Sequence, residues 1–244
     1  MVRLIVTSAT YRQTSRVSEE SYLRDPENRL LGRGARFRVD AELVRDIALT
    51  ASGLLSEKMG GPSVFPEQPA GTTEKREFGI YHWKTDTGED RYRRGLYTHW
   101  KRAAPYPSSI IFDAPGRMLT CSRRIRSSNP LQALTVLNDP VFFEAAIHLG
   151  HRMLVEGGDT ARSRIEWGVR LCVSRDPAES ELDLLEKLYH DECVRFEEDP
   201  AAAVTQLGGE PAISDDPGIS VSEWAACSTL ANVLLNLDET ITKE

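Results

Sequence analysis

Four of the five aspartate–proline steps in this chain stand ahead of helical spacing, at Asp25-Pro26, Asp139-Pro140, Asp176-Pro177 and Asp199-Pro200. An aspartate offers an acceptor to the unpaired amides of a first helical turn, and proline has no amide to leave unpaired. Each step therefore reads as a helix start. Asp176 and Ser220 also have Glu179 and Glu223 three residues on, the offset at which a glutamate reaches back to its cap.

Helical apolar spacing follows most of these starts. One helix is expected from about Asp40 to Lys58, with Leu43, Ile47, Ala51, Leu54 and Leu55 as its stripe and Gly60-Gly61-Pro62 as its stop. A second runs from Pro140 to about Val155 and buries Phe142, Ala145, Ala146, Leu149 and Met153. Asp159 starts a third, through Ile165, Val169 and Cys172. A fourth carries Leu182, Leu185, Tyr189, Cys193 and Phe196. A last one begins near Ser220 and carries Trp224, Leu230, Leu234 and Leu237. The fold expected is mainly α: a helical bundle with a long irregular arm over residues 60–130 and a few short strands. Residues 1–244 read as one mostly helical domain. At this length a chain buries roughly 70% of its unfolded surface, enough for a core without staples.

The arm differs from the rest. Helical periodicity fades, and Thr85-Asp86-Thr87-Gly88 reads as a hairpin turn between Phe78–Trp83 and the segment starting at Arg91. A second loop, Gly208–Gly218, is expected to be exposed. Residues 91–126 hold nine basic side chains, eight of them arginine, against the single acid Asp113. This window is +8 in a chain whose net charge is −7, so the remainder is −15. Arginine's planar fork suits carboxylate, phosphate or sulfate. Two readings stand. The arginines pair with acids elsewhere and lock the arm onto the helices, or some of them line an anion-binding groove walled by aromatic rings. Nucleic acid is excluded, because the acidic remainder repels a phosphate backbone.

Cys121, Cys172, Cys193 and Cys227 form no CxxC pair and no CxxCH haem-attachment motif, so no cofactor is expected in this chain. They read as buried thiols; export would permit a disulfide. Only His148 and His151 have helical spacing, and two imidazoles are half a metal site, so no metal is expected. No GxSxG, P-loop or GxGxxG follows a predicted strand. Paired acids such as Asp215-Asp216 read as solvated charge. No apolar run reaches the roughly 20 residues of a membrane span, and residues 1–10 turn polar too quickly for a signal peptide.

Several segments resemble one family when taken together and in order. They are Leu4–Gln13 (LIVTSATYRQ), Asn28–Gly32 (NRLLG), Ala41–Gly53 (AELVRDIALTASG), Gly60–Phe65 (GGPSVF) and Arg94–Arg102 (RGLYTHWKR). Ala104–Gly116 (APYPSSIIFDAPG), Asn129–Phe143 (NPLQALTVLNDPVFF) and Leu234–Glu244 (LLNLDETITKE) continue the series. The set is similar to the C-terminal domain of large planctomycete cytochrome-c-associated proteins, a domain family of unknown function. The resemblance implies an exported protein with a haem-binding cytochrome-c-like domain upstream, linked to redox or polysaccharide processes. It also implies that this chain is the C-terminal part of a larger family domain. It supplies no catalytic residues.

Two functions are therefore expected. The first is a non-catalytic binding or scaffolding part of that exported protein, with an anionic glycan or neighbouring domains as partners. The alternative is an enzyme domain acting on a glycan or other anionic substrate at the arm. Either way the candidate ligand-binding residues are Arg94, Tyr97, Trp100, Arg102, Asp113, Arg123 and Arg124, with Asp113 tied to a nearby arginine.

Overall fold

The computed structural model describes residues 1–72, 83–209 and 218–243. Two short helices, α1 (Val2–Val6) and α2 (Glu19–Arg24), precede a two-residue strand β1 (Phe37–Arg38) and helix α3 (Ala41–Ser52). The irregular arm follows, holding two 3-10 turns at Gly88–Tyr92 and Gly95–Tyr97 and the short α4 (Pro107–Ile111). The helical body is α5 (Pro130–Asn138), α6 (Pro140–Glu156), α7 (Ala161–Val173), α8 (Glu179–Glu198), α9 (Pro200–Gln206) and α10 (Val221–Leu235). Helix α11 (Asp238–Ile241) then leads to β2 (Thr242–Lys243), which pairs antiparallel with β1 as Phe37↔Lys243 and Arg38↔Thr242. The structure is 54% helical against this one two-stranded sheet, the mainly α fold expected. Among the described residues no helix is long and apolar enough to cross a membrane.

The caps explain where the body's helices begin. Asp139 accepts from the Val141 amide at 3.0 Å, Asp199 from Ala202 at 3.0 Å and Ser220 from Glu223 at 3.0 Å. Asn129 and Gln132 cap α5 reciprocally. Two expected starts are corrected. Asp25 begins no helix: it ends α2, and its carboxylate takes the amides of Arg29 and Leu30, which folds the chain into a loop. Helix α8 starts after Ala178, two residues beyond Asp176, because Glu181 reaches back to the Ala178 amide at 2.7 Å.

Helix α3 is also shorter than expected. Gly53 adopts φ +77°, a left-handed conformation that stops a helix and that glycine takes without a Cβ clash. Its buried face is Val44, Ala48, Leu49 and Ala51, while Leu43 is 42% exposed.

Helix α10 is the centre of the bundle. Trp224, Ala225, Ala226, Cys227, Leu230, Ala231, Leu234 and Leu235 are all buried, so the expected stripe is in fact a helix covered on all sides. It packs chiefly on α6, with α8, α9 and α7 around it, and α3 covers the other side of α6. The closest approach is at Gly150. A Cβ there would lie 2.6 Å from the Ser228 amide nitrogen and 2.8 Å from the Cys227 carbonyl carbon.

The four cysteines are free thiols. Cys172 and Cys227 are buried, and burial pushes both thiols up to about 12; Cys121 is exposed, contrary to expectation. The Phe78–His82 part of the expected hairpin and the centre of the Gly208–Gly218 loop, with Asp215-Asp216, lie outside the described residues. On the described side no strand begins at Arg91, which sits in a 3-10 turn.

Candidate functional site

Helix α3 presents a row of acids to the arm. Asp40 stands at its N-terminal cap position without bonding a helix amide through its side chain, and Glu42 and Asp46 are one turn apart on one face. Arg124 grips Glu42 with both terminal nitrogens, at 2.7 and 3.1 Å, and Arg126 reaches Asp40 at 3.4 Å. Arg94 Nε donates to Asp46 at 2.8 Å, and the Gly95 amide takes the other oxygen at 2.6 Å. Burial pushes the Glu42 carboxyl up, but the Arg124 hydrogen bond and charge outweigh it, and the net shift is downward.

Deeper in, guanidinium groups satisfy the carbonyls that irregular backbone leaves unpaired. Arg93 is 1% exposed and donates to the carbonyls of Lys58, Gly60 and Pro62. Buried Arg45 of α3 donates to the Arg91 carbonyl at 2.8 Å. Arg91 pairs with Glu67 and with Glu144 of α6, which also accepts from the Tyr92 hydroxyl at 2.8 Å. Burial, and then Glu144, pushes that phenol up to about 12. The arm is thus locked onto the helices from Arg91 to about Gly116, with Tyr106 and Phe112 buried. Beyond it, Met118, Leu119 and Ile125 are largely exposed, so residues 117–126 lie on the surface.

A second network joins the arm to β1 and α5. The Asp113 carboxylate accepts from the Ser127 amide at 2.7 Å and the Ser127 hydroxyl at 2.9 Å. Its charged partner, Arg38 at 3.5 Å, lies outside the basic window, so the pairing expected with a nearby arginine is made with β1 instead. Arg38 also donates to Gln132 Oε1, and Gln132 Nε2 donates to the Ile111 carbonyl at 2.9 Å. Arg45 and Gln132 lie within the family-like segments Ala41–Gly53 and Asn129–Phe143, whereas Arg38 and Glu144 lie in none, and only the charge imbalance of the arm signals that such partners must exist.

Two open clefts flank these networks. One, of about 450 Å³, lies between α3 and α7 and is lined by Ile47, Leu55, Met59, Cys172 and the Asp46–Arg94 pair. The other, of about 590 Å³, is lined by Arg36, Phe37, Arg38, Arg126, Ser127 and Ser128, with Asp238 and Thr242 opposite.

The seven residues expected to bind a ligand take different places. Arg94 and Arg124 both meet α3, at Asp46 and Glu42. Tyr97 lies under Arg93, and its hydroxyl accepts from the Gly60 amide at 2.8 Å. Trp100 lies under Arg117, 4.6 Å from its guanidinium carbon. Asp113 belongs to the Arg38 network. Arg102 and Arg123 are exposed. Neither cleft is lined by more than one of the seven.

Among the described residues no group of three His, Cys, Asp or Glu side chains could hold a metal ion. His151 packs edge-on against Trp224 at 5.3 Å, and burial lowers the pKa of His148. Among the described residues, the carboxyl raised well above its usual range, Asp139 at about 6, is a buried helix cap that lines neither cleft.

Comparison with known families matches residues 1–189 to the family described as "Protein of unknown function (DUF1553)". No curated protein and no solved structure matches the chain.

Proposed function

The chain belongs to the DUF1553 family, and from that premise we propose that it is a non-catalytic binding or scaffolding part of a larger exported protein. The finer reading follows the planctomycete resemblance: a cytochrome-c-like neighbour, and a role linked to redox or polysaccharide processes.

One observation carries the proposal. Residues 1–38 contain no buried residue, yet they display Leu4, Tyr11, Leu23, Leu30 and Leu31, each more than half exposed. The segment is nonetheless ordered locally. Arg33 donates to the carbonyls of Asp25 and Pro26 and lies over the Tyr22 ring, and the Asn28 side chain bridges both backbone groups of Arg33. The resulting loop holds Leu31 at φ +54° and leaves Leu30 79% exposed. A left-handed leucine costs roughly 1–2 kcal/mol. A built loop that displays two leucines at such a cost is a docking element, because exposed apolar groups held in place are what a partner's surface covers.

The test mixes the chain with a cytochrome-c-like domain from a family protein and follows haem absorbance in sedimentation velocity. Co-sedimentation that Leu30→Ser with Leu31→Ser removes is expected. No co-sedimentation, or association that the double substitution leaves intact, would sink the reading.

A further inference from the structure

We infer that the cleft between β1, the Arg126–Ser128 turn and the α11–β2 segment binds a polyhydroxylated anion, the chemistry of a sugar unit carrying a carboxylate or sulfate. Its volume of about 590 Å³ lies within the range of small-molecule sites. Three guanidinium groups line it, and each faces one carboxylate: Arg36 meets Asp238 at 2.6 Å, Arg38 meets Asp113 at 3.5 Å and Arg126 meets Asp40 at 3.4 Å. The three cations gather because β1 and the end of the arm meet there.

Each wall matches one part of such a ligand. Arg126 is 43% exposed and meets Asp40 through one nitrogen at 3.4 Å, which leaves most of its five N–H donors for an incoming anion. Exposed pairs of this kind are weak, so a carboxylate or sulfate competes with Asp40 readily. The Phe37 ring is 40% exposed, and the Arg126 guanidinium lies over it at 4.8 Å. That places a flat apolar plate beside a cation, which suits the C–H face of a sugar next to its acid group. Ser128 supplies a hydroxyl for ring hydroxyl groups, while Asp238 already accepts from Arg36 at 2.6 Å and from the Thr242 hydroxyl at 3.2 Å.

The floor is rigid. The Arg38 side chain is 9% exposed and is clamped by Gln132 and Asp113, while Asp113 also holds the amide and hydroxyl of Ser127. Arg38 Nη2 is buried and makes no hydrogen bond, and its charge faces the Asp113 carboxylate at 3.5 Å. An incoming anion therefore meets the exposed Arg126 above a floor that Arg38 and Asp113 hold in place.

The site is independent of the docking loop, and the experiment keeps the two apart. Calorimetry at low salt compares tri-galacturonate, a neutral galactose trimer and inorganic sulfate. Tri-galacturonate is expected to bind, with Arg126→Gln and Phe37→Ala each weakening it about tenfold or more. Arg123→Gln, on the exposed turn, and Leu30→Ser with Leu31→Ser are expected to leave it unchanged. Circular dichroism verifies that each variant is folded. Equal affinity for the neutral trimer, sulfate binding as tight as the oligosaccharide, or equal losses from Arg123→Gln and Arg126→Gln would overturn the inference.

Discussion

Arg93 lies flat on Tyr97, its guanidinium carbon 3.8 Å from the ring centroid. No carboxylate among the described residues pairs with this buried charge; three carbonyls and the ring face compensate it. Arg93→Met leaves the carbonyls of Lys58, Gly60 and Pro62 without that donor, at roughly 1–3 kcal/mol for each one left buried and unpaired. Urea denaturation is expected to give a loss above about 2 kcal/mol. A near-neutral result would mean that the arm does not depend on this clamp.

Asp139 is expected to make stability fall as pH rises. Burial pushes its carboxyl from 3.8 to about 6, against the opposing pull of the Val141 amide and the Arg45 charge. The native state therefore holds this proton more tightly than the unfolded chain does, and the contribution is largest below the unfolded value and lost through the folded one. Asp139→Asn keeps an acceptor for the Val141 amide but cannot ionise. Relative to that variant, the wild type is expected to lose about 1–3 kcal/mol between about pH 4 and pH 7. A difference that stays constant with pH would refute it.

Glu181 works in the opposite direction. Arg175 holds it at 2.7 and 2.8 Å and also binds Glu239, tying the start of α8 to α11. The Arg175 hydrogen bonds and the Ala178 amide hold the Glu181 carboxyl at about 2. Its contribution is complete above 4.5, the ordinary value, and fades as pH falls toward 2. The pair is partly exposed and screened, so Glu181→Gln is expected to cost only about 1 kcal/mol at neutral pH. Acid titration of both proteins should show the gap narrowing below 4.5; a gap that widens there would contradict the assignment.

Gly150→Ala reverses a familiar sign. In an exposed helix that change stabilises by roughly 0.5–1 kcal/mol. Here the new Cβ meets backbone atoms of Cys227 and Ser228 below 3 Å, so α6 and α10 must separate. A loss of about 1–3 kcal/mol is expected, read as a lower melting temperature. An unchanged or higher melting temperature would show that the contact yields.

The helical body was legible because its signals are local. Asp139, Asp199 and Ser220 cap α6, α9 and α10 as their positions suggest. The end of α3 was not, since Leu54 and Leu55 continue the apolar spacing past Gly53, whose left-handed backbone stops the helix. Asp25-Pro26 misled for a related reason: the same acceptor serves a loop as well as a cap. The exposure of residues 1–38 was invisible, because apolar residues look alike whether or not something covers them.

The sequence alone determined the mainly α class, the positions of most body helices and the surplus of arginine in the arm. Helix bonds run between residues four apart, so caps, stops and stripes are written at short range. Tertiary structure alone decided which acids meet those arginines: Asp46 lies 48 residues from Arg94, and Glu42 lies 82 from Arg124. It also made the cleft, by pairing Phe37 and Arg38 with Lys243 and Thr242 at the far end of the chain. Coulomb and packing forces act through space, and no spacing along the chain encodes which distant segments they bring together.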